Sequence, residues 1–111
     1  MKILKINNNS SFIEIVPKIF FKEVLSSYSL GMAKNLWKNY SIHIGSKKKG
    51  NDTYITFYKT NFLYPVIKIK YYRINNKEYI EVNHNAQKII LRSMIELSFW
   101  FKNYFLDKAK I

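Results

Sequence analysis

Residues 67–83 read Ile67-Lys68-Ile69-Lys70-Tyr71-Tyr72-Arg73-Ile74-Asn75-Asn76-Lys77-Glu78-Tyr79-Ile80-Glu81-Val82-Asn83, and this stretch decides the fold. Asn75-Asn76 suits a two-residue turn, because asparagine tolerates the positive φ that tight hairpins demand. The register that follows sets Ile74 against Lys77, Arg73 against Glu78, Tyr72 against Tyr79, and Tyr71 against Ile80. It continues with Lys70 against Glu81, Ile69 against Val82, and Lys68 against Asn83. Side chains alternate between faces along a strand, so Ile67, Ile69, Tyr71, Ile80 and Val82 share one apolar side. Lys68, Lys70, Tyr72, Tyr79 and Glu81 fall on the other. An aromatic pair and an opposite-charge pair then lie directly across the ladder. Pairs of this kind contribute about 0.2–1 kcal/mol each.

Working outward, residues 85–105 carry a helical apolar period: Ala86, Ile90, Met94, Leu97, Phe101 and Tyr104, widened by Leu91, Ile95 and Phe105. Lys88, Arg92, Glu96 and Asn103 lie opposite, and Asn83 or Asn85 is an acceptable N-cap. The spacing predicts one long closing helix packed on the hairpin's apolar side. Upstream, residues 53–59 are rich in strand formers, and residues 40–45 alternate as a strand should. Pro17 favours a helix start, with a strand over 12–16 ending just before it. Phe20, Val24 and Tyr28 then recur at four-residue spacing. Ser29 and Gly31 mark a kink, after which Ala33, Leu36, Trp37 and Tyr40 continue the face. Such an aromatic stripe points to core. Residues 1–11 read as an N-terminal arm or short strand closed by the turn cluster of Asn7 to Ser11. A single domain spans 1–111, with 46–63 as a segment bearing a basic loop.

Composition limits the chemistry. Nineteen basic residues face seven acidic ones, for a formal net charge of +12. A charge of this size says nothing about fold but points to a polyanionic partner. Ile, Lys, Asn, Phe and Tyr make up more than half of the chain. Those residues are specified by A/T-rich codons, so the gene is expected in an AT-rich genome. That bias enriches lysine but does not explain the shortage of acids. With no cysteine, disulfides and thiol chemistry are excluded. His43 and His84 are isolated, so no metal site and no cofactor is expected.

The acids are scattered, with no pair spaced for acid–base work, no glycine-rich phosphate loop and no nucleophile elbow. The chain is read as a non-enzyme with no small-molecule substrate. Arg92, Glu96 and Lys102 interrupt the most apolar stretch, and a span needs about 20 mostly apolar residues, so no membrane insertion is expected. The N-terminus shows no recognisable presequence.

The order strand, long helix, strand, hairpin and final helix can now be set beside particular motifs. These are Pro65-Val66-Ile67, Tyr71 or Tyr72, Asn75-Asn76-Lys77-Glu78, Ile80-Glu81-Val82-Asn83, and the spacing from Ile90 to Leu97. A weaker echo runs from Leu36-Trp37 to His43-Ile44. Together they resemble the small thioredoxin-like family shared by two mitochondrial ribosomal proteins, one from each subunit, and a small accessory subunit of respiratory complex I. The glycine-rich turn after the family's first strand has no counterpart at 7–11, and 46–63 is an insertion relative to it. The resemblance implies an α/β, thioredoxin-like two-layer sandwich with about four strands in a mixed sheet and two main helices. Without cysteine it implies no redox activity.

Within that family, charge favours the ribosomal members, because a protein seated on rRNA must offset phosphate repulsion. The expectation is a structural constituent of a mitochondrial ribosome, located in the matrix and either made there or imported. Its partners would be rRNA and other ribosomal proteins. Lys47, Lys48, Lys49, Lys59, Lys68, Lys70 and Arg73 would contact phosphates, which positions a protein without reading sequence. Two alternatives come from other classes. One is a small viral or bacterial nucleic-acid-binding or interaction protein, with Tyr58, Tyr72 and Tyr79 as stacking platforms between lysines. The other is an accessory subunit of a respiratory complex, without nucleic-acid contact.

Overall fold

The computed structural model describes residues 17–45 and 53–109. They run α1 (Lys18–Ala33), β1 (Asn39–His43), β2 (Thr53–Tyr58), β3 (Pro65–Ile74), β4 (Lys77–His84), β5 (Gln87–Leu91) and α2 (Met94–Ala109). The strand expected over 12–16, the N-terminal arm and the Lys47 to Lys49 triplet lie outside the described residues.

The five strands form one sheet in the order β1-β2-β3-β4-β5. Its centre is the expected hairpin, whose pairing from Ile74↔Lys77 to Lys68↔Asn83 matches the sequence register at every position. Asn75 and Asn76 take φ of 52° and 66°, the left-handed conformation that a two-residue turn requires. β2 joins the hairpin through Ile55↔Ile69 and Phe57↔Ile67, and β1 joins β2 through Ile42↔Ile55.

Both helices lie on the same side of this sheet. Phe20 of α1 meets Tyr71 at 5.3 Å between ring centroids, and Tyr28 meets Phe57 at 5.2 Å. From α2, Phe101 stacks on Phe57, and Tyr104 stacks on Trp37. Ile55, Phe57, Ile67, Ile69, Tyr71, Ile80 and Val82 close the core from the sheet side, all fully or almost fully buried. Each large apolar side chain so buried contributes about 1.5–3 kcal/mol relative to exposure. The Tyr71 hydroxyl reaches the rim of this core and donates to Glu78 Oε1 at 2.9 Å. Desolvation of the phenol, reinforced by that carboxylate, pushes its pKa well above the ordinary tyrosine value.

The two-layer α/β arrangement with two helices is therefore present, with corrections to its parts. Among the described residues the sheet has five strands, close to the four or so expected, and every ladder is antiparallel where a mixed sheet is expected. The extra strand comes from the segment assigned to the closing helix. Asn85-Ala86 makes a second tight turn, with φ of 54° and 61°, and sends Gln87–Leu91 back along β4. Strands joined by two residues must run antiparallel. Pairing also satisfies β4 backbone groups that a helix there would have left open. The closing helix begins at Met94, not at residue 85. Ser93 accepts a hydrogen bond from the Glu96 amide at 3.2 Å, and Glu96 accepts one from the Arg92 amide at 2.9 Å. Ser93-x-x-Glu96 is thus a capping arrangement in the sequence that outranks Asn83 and Asn85 as a start signal. Leu97, Phe101 and Tyr104 are buried as expected, whereas Ile95 is 69% exposed.

The first helix also ends earlier than its aromatic period implies. It stops at Ala33 instead of continuing past a kink through Tyr40. Leu36 N donates to Gly31 O at 2.9 Å, and Asn35 N to Met32 O at 3.0 Å, with Asn35 at φ 62°. These are the two bonds of a Schellman stop. Pro17 sits one position before the helix as an extended N-cap, its carbonyl accepting from Phe20 N at 3.0 Å. The turn at Asn35 brings Trp37 back onto α1, where its Nε1 donates to Tyr28 O at 2.7 Å.

Candidate nucleic-acid interface

Packing both helices on one face leaves the other face of the sheet without a helical cover among the described residues. Alternation places Ser41 and His43 of β1 there, with Tyr54, Thr56 and Tyr58 of β2 and Lys68, Lys70 and Tyr72 of β3. Tyr79, Glu81 and Asn83 of β4 and Lys88 of β5 lie there too, along with Ile74 of β3 and Ile90 of β5, both exposed. The result is an aromatic surface threaded with cations.

Its geometry is specific. Lys68 Nζ lies 4.0 Å from the Tyr54 ring centroid, and His43 stacks on the same tyrosine at 4.8 Å with 20° between planes. Tyr72 and Tyr79 stack across the ladder at 5.4 Å and 19°, with the Arg92 guanidinium 4.6 Å from the Tyr79 centroid. Lys70 Nζ is 5.7 Å from the Tyr72 ring. Cations over exposed rings gain about 0.5–1 kcal/mol, little enough to be exchanged for a phosphate. Tyr58 shares a hydrogen bond with Ser41 Oγ at 3.0 Å, which fixes its ring.

Glu81 is the only carboxylate that the described strands place on this face. It accepts from Asn83 Nδ2 at 3.0 Å and sits 3.9 Å from Lys88 Nζ. Partial burial, then the Glu81 charge and Tyr79, raise the Tyr72 hydroxyl above its ordinary pKa. It therefore stays neutral at physiological pH and adds no negative charge to the face.

Five of the residues singled out in the sequence come together here: Lys68, Lys70, Tyr58, Tyr72 and Tyr79. Two do not. Arg73 shares parity with Tyr71 and points to the helix side near the hairpin tip, where it donates to Asn76 O at 3.5 Å. Arg73 therefore lies on the opposite face of β3 from Lys68 and Lys70, because odd and even positions of a strand face opposite ways. Lys59 is exposed in the β2–β3 connection, beyond the end of the face. His43 and Tyr54 were missed, although the alternation of Tyr54 with Tyr58 was a readable signal. Lys88 lies in β5 and Arg92 just beyond it, where the spacing predicts the outer side of the closing helix.

Among the described residues no three His, Asp or Glu side chains cluster as metal ligands, and no helix is long and apolar enough to cross a membrane. Comparison with family models, with curated proteins and with solved structures returned no match.

Proposed function

We propose that this protein is a structural, RNA-binding component of a ribonucleoprotein that holds RNA against its helix-free sheet face. One observation carries the reading: four tyrosines and a histidine share that face with Lys68, Lys70, Lys88 and Arg92, and the described strands place only one carboxylate among them. Bases stack on rings regardless of identity, and lysines neutralise phosphates without reading sequence, so the two together suit unpaired RNA. The net charge of +12 agrees with a polyanionic partner. Within this proposal the particle is the mitochondrial ribosome to which the sequence resemblance points, with rRNA and other ribosomal proteins as partners and Lys47, Lys48 and Lys49 as further phosphate contacts. The thioredoxin-like grouping belongs to the same proposal. It requires a parallel ladder beyond the five antiparallel strands described.

The test is fluorescence anisotropy of the full chain with single-stranded and duplex RNA across a salt series. Four phosphate contacts on a single strand give a slope of log affinity against log salt of about −3, a loss of about 50-fold between 50 and 200 mM. Tyr72→Ala and Tyr79→Ala should each cost about 1–3 kcal/mol per stacked base on single strands and much less on duplex. Sedimentation of the tagged protein from its native source should place it with the ribosomal particle. Tight duplex binding untouched by both tyrosine changes, or no RNA binding at all, refutes the face as the site. Sedimentation with a membrane complex refutes the ribosomal setting.

A further inference from the structure

One end of the helix-free face deepens into a groove of about 640 Å³ between the β2–β3 connection and the β4–β5 turn. Tyr54, Tyr58 and Phe62 wall it on one side, and Lys68, Asn83 and Lys88 supply its polar groups. Phe62 is the unusual member. It is 60% exposed, yet its ring is held edge-on to Tyr58 at 4.9 Å. Its loop is braced from two sides. Asn39 Nδ2 donates to Thr60 O at 2.7 Å, and Asn61 Oδ1 accepts from Leu63 N at 2.9 Å. An exposed aromatic on a braced loop is presented before any ligand arrives, which removes an ordering cost from binding.

We propose that this groove seats one unpaired nucleotide, its base against Phe62 and Tyr58 and its phosphate toward Lys68 and Lys88. The inference rests on the RNA-binding reading of the face and names the place where a single base is gripped. The groove lies in the size range of small-ligand sites. Its lining includes two lysines and no carboxylate, which fits an anion. A second groove, of about 440 Å³ between α1 and α2, is lined by Glu23 as well as Lys34 and Lys102 and lacks this complementarity. Asn83 spends its amide nitrogen on Glu81, leaving Oδ1 to accept from a base edge.

The experiment binds the full chain to a short single-stranded oligoribonucleotide, intact and with an abasic residue scanned through each position. Wild type should show one position where the missing base weakens binding most, by about 5- to 150-fold. Phe62→Ala should remove that penalty and weaken the intact oligomer by a similar factor, while Phe62→Trp should retain both. If Phe62→Ala binds like wild type while Tyr72→Ala and Tyr79→Ala bind weakly, the groove is overturned and the face reading stands. The groove is also overturned if Phe62→Ala weakens all oligomers equally and keeps the positional penalty. If wild type binds no single-stranded RNA, both readings fail together.

Discussion

Gly31→Ala should destabilise this protein, although the same change in an exposed helix would stabilise it by about 1 kcal/mol. A Cβ at residue 31 would lie 2.0 Å from Trp37 Cζ2, 2.2 Å from Cε2 and 2.6 Å from Nε1. Carbon atoms in contact prefer roughly 3.5–4.0 Å, so the indole must retreat by about 1.5 Å. It has no room, being fully buried with Phe57 at 4.7 Å and Tyr104 and Phe105 at 5.8 and 6.0 Å. Overpacking of this kind costs about 1–3 kcal/mol. Retreat also breaks the 2.7 Å bond from Trp37 Nε1 to Tyr28 O, and a buried polar group left unpaired costs about 1–3 kcal/mol more. Set against the propensity gain, the net loss is about 1–5 kcal/mol, or about 4 °C in Tm per kcal/mol. Urea denaturation followed by far-UV circular dichroism measures it. A double-mutant cycle locates the cause: in a Trp37→Leu background the penalty should shrink or reverse. Wild-type stability in Gly31→Ala, or an equal penalty in both backgrounds, would refute the close-packing argument.

Two further outcomes follow from single residues. Ala86 holds φ 61° in the β4–β5 turn, a conformation that costs non-glycine residues about 1–2 kcal/mol, so Ala86→Gly should raise the denaturation midpoint; a lower midpoint would mean that the turn is not strained. His84 lies against Trp100 and Tyr104, and burial, with Lys108 nearby, lowers its pKa below the ordinary histidine value. The unfolded chain therefore binds a proton more readily than the folded one. Stability from this group is complete above about pH 6.5 and declines as pH falls below it. His84→Gln should flatten stability between pH 7 and 5, and an unchanged slope would remove His84 as the cause.

What was legible in the sequence was the local, strongly patterned part. Alternation through Ile67, Ile69 and Tyr71, a turn of two asparagines, and matched partners across it determine one hairpin register, because a slip of one residue would turn every apolar side chain to the wrong face. Leu97, Phe101 and Tyr104 were legible as core for the same reason, at helical spacing. The boundary between β5 and α2 was not. Gln87–Leu91 is apolar enough to satisfy a helical or a strand period, and only a neighbour decides between them. The open edge of β4 supplies backbone partners that an isolated segment lacks, and Ser93 with Glu96 then starts the helix after it. The end of α1 was lost in the same way, since Trp37 keeps the helical spacing but reaches the core by folding back over Gly31.

The candidate site was half readable. Lys68, Lys70, Tyr72 and Tyr79 follow from strand parity within one hairpin. Their union with Tyr54, Tyr58, His43 and Arg92 depends on which strands become neighbours and on both helices choosing the same face. Apolar pattern specifies that a face must be covered, but the layer that covers it, and hence the face left open for a ligand, is settled only when the elements pack.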